Sequence, residues 1–263
     1  MLLIRLLLVP ALIVLITLAS RRWGPAVGGW LTGFPVVAGP IMLVISLEQG
    51  PEFAGAAALW SLSAVLANVA FGIAYSWAAI RFPWYLCFCA GTMAFGATAL
   101  VLTRHPMTPW LALAVTVSGL WLAPRAFPRL RISLDVRPPP RGELAARMLA
   151  GTAMVLAVTW FAQGLGRHLS GVITVFPVLS LVLAVFSHNF SGPGYTVLLL
   201  RGVVGGLYAF ATFCFVITLA LPRLGTAYAF PIALLSALTV QGASFWIRHT
   251  RQMPVRPERP RGG

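Results

Sequence analysis

Arg201, in "GPGYTVLLLRGVVGGLY", is the residue best suited to bind an anion from within an apolar stretch. It follows the nearest Gly-Pro pair by about two helical turns. A charge placed that deep in a membrane helix costs roughly 2.5 kcal/mol or more, so such a side chain usually faces a polar cavity or a partner. A planar guanidinium there could hold a carboxylate or a phosphate in a fork geometry. The alternative is that the side chain extends to a nearby membrane interface.

Two glutamates and one histidine could bind ions or carry protons. Glu48 and Glu52 flank the pair Gly50-Pro51, where they could bind a cation or relay protons, or could be solvated carboxylates. His188 precedes a second Gly-Pro pair and could titrate near neutral pH. A surface histidine is the alternative.

Uncharged polar residues complete the candidate binding set. Amides within apolar helices usually form interhelical hydrogen bonds, which applies to Asn68, Gln163 and Gln241. Thr32 and Thr174 each precede a Phe-Pro pair, where their hydroxyls, like that of Ser46, could satisfy carbonyls freed by the proline. Arg201, Thr32, Thr174 and Asn68 are therefore the predicted substrate-binding residues.

The sequence contains no recognisable catalytic motif. It has no HExxH zinc motif, no nucleophile elbow and no glycine-rich phosphate loop. The three cysteines lack the spacing of a zinc site or a disulfide framework. We therefore predict a protein that is not an enzyme and that needs no metal and no cofactor.

The composition predicts a protein embedded in a membrane by α-helices. Of the 263 residues, 59% are hydrophobic and 9% are charged, whereas an ordinary soluble domain has about 25% charged residues. Apolar runs long enough to cross the hydrocarbon core recur along the chain without the two-residue alternation of barrel strands. The net charge of +14 lies in loops and tail, which indicates membrane topology rather than nucleic-acid binding.

The apolar runs predict about nine transmembrane helices. Eight spans result if the uncharged fifth run does not cross. The predicted spans are residues 2–20, 25–47, 54–80, 83–103, 107–123, 143–165, 169–187, 195–221 and 226–247.

The distribution of arginines predicts the orientation of these spans. With nine of them, most arginines fall on one side, including those of the central loop and the tail, while Arg5, Arg104, Arg167 and Arg223 fall on the other. By the positive-inside rule the arginine-rich side is cytoplasmic. The N-terminus is then outside and the C-terminus is cytoplasmic.

A shift of 142 residues aligns the two halves of the chain. The aligned pairs are Phe34-Pro35 with Phe176-Pro177 and Gly50-Pro51 with Gly192-Pro193. Four helices per copy with one extra helix between them would insert the copies in opposite orientations. Inverted repeats of this kind are common in secondary transporters. The predicted parts are a first repeat at 1–106, a linking helix and loop at 107–142, a second repeat at 143–248 and a polar tail at 249–263.

The prolines predict bends inside apolar segments. Pro35 and Pro177 each remove a backbone N–H and free a carbonyl that a ligand, a hydroxyl or water could use. The candidate gate positions are therefore the residues of the two Phe-Pro and the two Gly-Pro pairs: Phe34, Pro35, Phe176, Pro177, Gly50, Pro51, Gly192 and Pro193. The alternative is a bend that serves packing alone.

The unit built around "FP" and a following apolar run resembles small GlpM-like inner-membrane proteins of bacteria, here in doubled form. The resemblance implies a bacterial inner-membrane location and no particular activity. Our leading hypothesis is a small secondary transporter or flippase for an anionic or amphiphilic molecule or lipid. The alternatives are a non-transporting subunit or scaffold of an envelope-assembly complex and, less favoured, a membrane enzyme acting on lipid phosphate. A homodimer or another membrane partner stays open.

Overall fold

The computed structural model describes residues 2–35, 38–129, 142–164 and 176–251. These residues form α-helices, and no strand occurs among them. The all-α prediction is therefore confirmed for the described part of the chain. The helices are α1 Leu2–Trp23, α2 Pro25–Thr32, α3 Ala38–Gln49, α4 Pro51–Ala78, α5 Trp84–Arg104, α6 Pro109–Ala126, α7 Glu143–Gly164 and α8 Val178–Arg251.

Glycines with positive φ angles mark where several helical runs begin. Within α8, Gly192 (φ 82°) and Gly225 (φ 71°) interrupt the helix and divide it into three runs, which we name α8a (178–191), α8b (193–224) and α8c (226–251). Gly50 has φ 90° directly before α4. Glycine adopts this region without the Cβ penalty of other residues, and the proline that follows Gly50 and Gly192 suits a first helical position.

The predicted second span is broken into two helices rather than bent. Pro35 has no N–H to donate to the carbonyl of Leu31, and that carbonyl instead accepts the N–H of Phe34 at 3.2 Å. The carbonyl of Pro35 then accepts the N–H of Gly39 at 2.9 Å, which opens the first turn of α3. The span 25–47 is thus corrected to α2 and α3.

The core of the bundle lies around α4 and α8b, which run antiparallel. Near one end of α4, Gly55 packs against Pro222, and near the other end Gly72 approaches Leu200. Large side chains of both helices are fully buried there, among them Phe71 of α4. Helices α5 and α6 pack on α4, where Thr116 of α6 donates a hydrogen bond to the carbonyl of Leu62 at 3.1 Å. Helix α7 packs against α1 in the antiparallel direction.

Three helical stretches of the described residues are long and apolar enough to cross a membrane: Pro51–Ala78, Trp84–Arg104 and Val178–Ser244. The last of them contains the two glycine breaks of α8. The bundle also carries apolar side chains on its outer surface, such as Met93 and Leu149, which are 73% and 72% exposed. A surface of this kind suits contact with lipid. The count of nine spans stays a prediction, and part of the seventh, residues 169–175, lies outside the described residues.

Candidate functional site

A cluster of one glutamate and two arginines joins the end of α1 to the start of α7. Glu143 accepts a hydrogen bond from Nη2 of Arg21 at 2.8 Å on one carboxylate oxygen. Its other oxygen accepts the Nε–H of Arg147 at 2.8 Å, one helical turn further along α7. The side chains of Glu143 and Arg147 are only 3% and 6% exposed, whereas that of Arg21 is 37% exposed. We call these three residues the charge cluster, and its formal net charge is positive.

An apolar groove begins beside the charge cluster. The guanidinium of Arg147 lies over the ring of Phe186, 5.4 Å from its centroid. Phe186 in turn lines the groove, which has a volume of about 350 Å³ between α5, α7 and α8a. Ligand sites usually have volumes of roughly 300–1,000 Å³. The lining residues are Trp84, Phe88, Ala150, Ala153, Met154, Ala157, Leu181, Val182, Val185 and Phe186.

Short glycine-spaced motifs bring α2 into backbone contact with α8b. A Cβ atom built on Gly33 would lie 2.5 Å from the carbonyl carbon of Gly206, and one built on Gly206 would lie 2.8 Å from Cα of Gly33. Gly29 and Gly202, one turn away on each helix, are packed as closely against the opposite backbone. The four-residue spacing of Gly202 and Gly206 is typical of membrane helices that pack closely. We call these four residues the glycine seam.

The end of α2 is also held by α8c. Gln241 donates its amide N–H to the carbonyl of Trp30 at 3.0 Å, and the indole N–H of Trp30 donates to Ser244 Oγ at 2.9 Å. The carbonyl of Trp30 belongs to the last turn of α2, where helix carbonyls lack partners within the helix. The interhelical bond predicted for Gln241 is therefore confirmed.

Arg201 lies on α8b and is half-buried. Its Nη2 is 3.5 Å from the carbonyl oxygen of Pro124, near the end of α6. A cation is favourable beside the carbonyls at the C-terminal end of a helix. The contact given for Arg201 is therefore to a helix end, which is a structural use of its charge. The aligned leucine in the first half, Leu59, occupies the same register on α4.

The two candidate glutamates are both exposed. Glu48 lies in the last turn of α3 and Glu52 in the first turn of α4, so Gly50 and Pro51 separate them into different helices. A carboxylate in the first turn of a helix interacts favourably with the helix dipole. Ser46, two residues before Glu48, pairs with Thr226 Oγ1 at 2.7 Å and so contacts α8c rather than a carbonyl freed by Pro35.

His188 contacts Tyr75 in the core rather than lying on the surface. The two rings meet edge to face with their centroids 6.1 Å apart. Tyr75 is fully buried and His188 is half-buried. Among the described residues, Tyr75 Oη and His188 Nδ1 have no hydrogen-bond partner, and neither do the buried hydroxyls of Ser76 and Ser187. The surface alternative for His188 is wrong, and its partner Tyr75 was not identified from the sequence.

The other predicted binding residues are used locally. Thr32 Oγ1 donates to the carbonyl of Gly28 at 2.8 Å, and Asn68 Nδ2 lies 3.3 Å from the carbonyl of Ala64. Both bonds lie within the residue's own helix, which is a common arrangement for short polar side chains. The interhelical role predicted for Asn68 is therefore not the one observed. Thr174 lies outside the described residues.

The predicted gate prolines occupy different environments. Pro35 and Pro177 are buried, while Pro51 and Pro193 are exposed at the starts of their helical runs. Phe176 packs edge to face on Phe95 of α5, with the centroids 5.3 Å apart. Phe34 is partly buried against the main core. The structure therefore places the Phe-Pro pairs inside the bundle and the Gly-Pro pairs at its ends.

The charge cluster was missed from the sequence although one signal for it was present. Glu143 and Arg147 stand four residues apart, which is the spacing of an ion pair on a helix. No local pattern could have joined Arg21 to Glu143, which are 122 residues apart. Within the described residues, no group of histidine, cysteine or acidic side chains could hold a metal ion.

The fold and the site define the chain as a bundle of apolar helices with a buried ionic cluster at one end. No protein-family model, curated protein or solved structure matches it.

Proposed function

We propose that this protein is a multi-pass protein of a bacterial inner membrane that transports or flips an anionic or amphiphilic small molecule or lipid. The observation that carries the proposal is the break between α2 and α3 inside an apolar segment. Discontinuous helices expose backbone groups near the middle of a membrane and commonly form the substrate sites of secondary transporters. A helix break at this place is otherwise an expensive feature in lipid.

The helices on both sides of the break are held by contacts with α8b and α8c. The glycine seam holds α2 against α8b, and Gln241 of α8c satisfies the carbonyl of Trp30 at the end of α2. Helix α3 contacts α8c at a different level, through Ser46 and Thr226. Both parts of the broken helix therefore contact α8c, and α2 is held against α8b as well.

The directions of the helices are compatible with nine crossings. The bond between Arg21 and Glu143 places the end of α1 and the start of α7 on one side of the bundle. The end of α4 and the start of α5 are assigned to that same side, which adds the exposed Arg81 between them to the arginines there. This grouping of arginines supports a cytoplasmic assignment for that side and an N-terminus outside.

The proposed inverted repeat receives support from its two Gly-Pro turns. Gly50 has φ 90° and ψ 162°, and Gly192 has φ 82° and ψ 175°. Both precede a proline that begins a long helical run in the core, α4 in one half and α8b in the other. The counterpart of α2 in the second half, residues 167–174 by the shift of 142, lies outside the described residues.

The apolar character of the described interior favours an amphiphilic cargo over a small hydrophilic one. Among the described residues, the buried charged side chains are those of Glu143 and Arg147. Both belong to the charge cluster at the start of α7 and not to the core helices α4 and α8b. The described groove is lined by apolar side chains. A molecule with an apolar part and a single anionic group suits both features.

Reconstitution in liposomes tests the proposal. Purified protein should speed the transfer of a fluorescent anionic amphiphile across the bilayer relative to protein-free liposomes. Pro35→Ala should lower this rate several-fold while leaving the folded yield nearly unchanged, because it restores a backbone N–H and permits a continuous helix at the loss of one small ring. Pro106→Ala, at an exposed position between α5 and α6, is the matched control.

Failure of wild-type protein to transfer any anionic amphiphile, lipid or small organic anion would contradict the proposal. The alternative of a non-transporting membrane subunit would then be tested by isolating the protein with its partners. Equal loss of yield and of transfer in Pro35→Ala would indicate that the break serves packing alone.

A further inference from the structure

We infer that the apolar groove holds one hydrocarbon chain of an anionic membrane lipid, with the lipid headgroup beside Arg21 of the charge cluster. The inference rests on the proposed function and deepens it, because it assigns the position at which an amphiphile first binds.

The groove has the lining and the opening that a hydrocarbon chain needs. All its lining residues are apolar or aromatic, so a polar ligand would lose hydration there without gaining hydrogen bonds. Trp84 is 42% exposed, and Ala153 of α7 is exposed as well. The groove is therefore open to the outer surface of the bundle, where lipid chains would be the neighbouring molecules in a membrane.

The charge cluster supplies the preference for an anion. Two arginines share one glutamate, so one positive charge is left uncompensated within the cluster. Arg147 is almost fully buried and holds Glu143, whereas Arg21 remains 37% exposed. Arg21 is thus the cation that an external headgroup can reach. Basic sites at the cytoplasmic ends of membrane helices are typical binding places for anionic lipid headgroups.

A single side chain connects the two parts of the site. Phe186 lines the groove and also lies under the guanidinium of Arg147. An apolar chain along Phe186 would therefore lie next to Arg147, whose partner Glu143 also binds Arg21. This juxtaposition matches an amphiphile and neither a free inorganic anion nor an uncharged hydrocarbon.

Quenching of tryptophan fluorescence by brominated lipid chains tests the inference in nanodiscs at equilibrium. The contribution of Trp84 is the difference between wild type and Trp84→Phe. A brominated anionic lipid, present as a minor component in an unbrominated zwitterionic bilayer, should reach Trp84 roughly five-fold more readily than a brominated zwitterionic lipid at the same fraction. This factor corresponds to about 1 kcal/mol for one basic residue near an anionic headgroup.

Two matched pairs of variants locate the effect. Arg21→Gln should abolish the preference for the anionic lipid, while Arg22→Gln, at the neighbouring exposed position, should preserve most of it. Ala153→Phe should fill the groove and reduce quenching of Trp84, whereas Leu149→Phe, on the same helix at a 72% exposed position, should not. Thermal unfolding of each variant establishes that it is folded.

Equal quenching of Trp84 by the two lipids, or an anionic preference that persists in Arg21→Gln, would overturn the inference. An equal loss of preference in Arg22→Gln would also overturn it, because it would show general attraction to a basic surface. The measurement involves no transfer across the bilayer. A preference for the anionic lipid without lipid transfer would support this site and contradict the proposed transport. Transfer without the preference would support transport and contradict this site.

Discussion

At the scale of single residues, Glu143 is the carboxylate that pairs with both arginines of the charge cluster. It is nearly fully buried and separates two guanidinium groups, one of which is also buried. Removing one partner of a buried ion pair costs roughly 3–5 kcal/mol, because a buried charge is left uncompensated. The charge cluster should therefore depend on this carboxylate more than on Arg21.

We expect Glu143→Gln to lower the stability of the folded protein strongly. The substitution leaves Arg147 buried without a carboxylate, so the loss should approach about 3 kcal/mol. Thermal unfolding in detergent measures it. Glu52→Gln, at an exposed position in the first turn of α4, is the matched control and should have little effect. Similar unfolding temperatures for the two variants would contradict the assigned role of Glu143.

Tyr75 carries a buried hydroxyl without a hydrogen-bond partner among the described residues. An unsatisfied buried polar group costs about 1–3 kcal/mol. We therefore expect Tyr75→Phe to keep or raise the unfolding temperature while preserving the ring contact with His188. Tyr228→Phe, at a 70% exposed position, is the control. A clear loss of stability in Tyr75→Phe would show that the hydroxyl has a partner, such as a bound water.

The glycine seam predicts a difference between two glycine substitutions. Gly206→Ala places a methyl group against the backbone of α2, and overpacking of this kind typically costs about 1–3 kcal/mol. Gly96→Ala, in α5 with no atom near its added Cβ, should be neutral or should stabilise its helix by about 0.5–1 kcal/mol. Unfolding temperatures of the two variants compare them directly. Equal tolerance of both would mean that α2 and α8b are not in backbone contact.

The sequence predicted the kind of contact that some residues make, but not the partners in those contacts. The interhelical hydrogen bond of Gln241 was predicted from its amide within an apolar helix, but its partner Trp30 was not. The contact of Arg201 with the carbonyl of Pro124 spans 77 residues and had no sequence signal. The same holds for Tyr75 and His188, whose contact exists because α4 and α8a are neighbours in space.

At the scale of elements, the broken second helix is stabilised at its end by a side chain from another helix. Gln241 donates to the carbonyl of Trp30 in the last turn of α2. We expect Gln241→Leu to destabilise the protein by about 1–3 kcal/mol, since a buried carbonyl is left unsatisfied. Thermal unfolding again measures the change. Ser236→Ala, one to two turns earlier on the same helix, is the control, because its hydroxyl bonds only within the helix.

Elements could be predicted where the sequence contains their boundaries. Glycine followed by proline stands at the starts of α4 and α8b, where glycine allows positive φ and proline suits the first turn, and the spans predicted from 54 and 195 begin two or three residues later. The predicted span 25–47 began where α2 begins and ended two residues before the end of α3, but it did not contain the break between them. A proline within an apolar run permits either a bend or a complete break. Tertiary contacts, here those of α2 with α8b, decide between the two.

At the scale of the whole molecule, the orientation of the bundle in the membrane is open to a direct test. Single cysteines placed at Arg104 and at Gly142, in a background without the native cysteines, should be labelled from opposite sides of intact cells. Arg104 ends α5 and Gly142 precedes α7, and both are exposed. A cysteine at Arg81 should behave like the one at Gly142. Labelling of Arg104 and Gly142 from the same side would contradict the nine-span arrangement.

The class of fold was accessible from composition, because apolar runs without charge form helices in a membrane. The directions in which helices pair could not be read from composition, because many pairings bury similar apolar surface. Long-range bonds such as that of Trp30 with Ser244 define those pairings, and they connect residues more than two hundred positions apart.

The glycine seam also has a mechanical consequence. Because α2 and α8b touch through their backbones, no side chain lies between them to rotate or yield, and the two helices must be displaced together. Helix α2 is next to α3 in sequence, but its backbone contacts hold it to α8b, which comes from the second half of the chain. Any movement of α3 relative to α8b is therefore also a movement of α3 relative to α2.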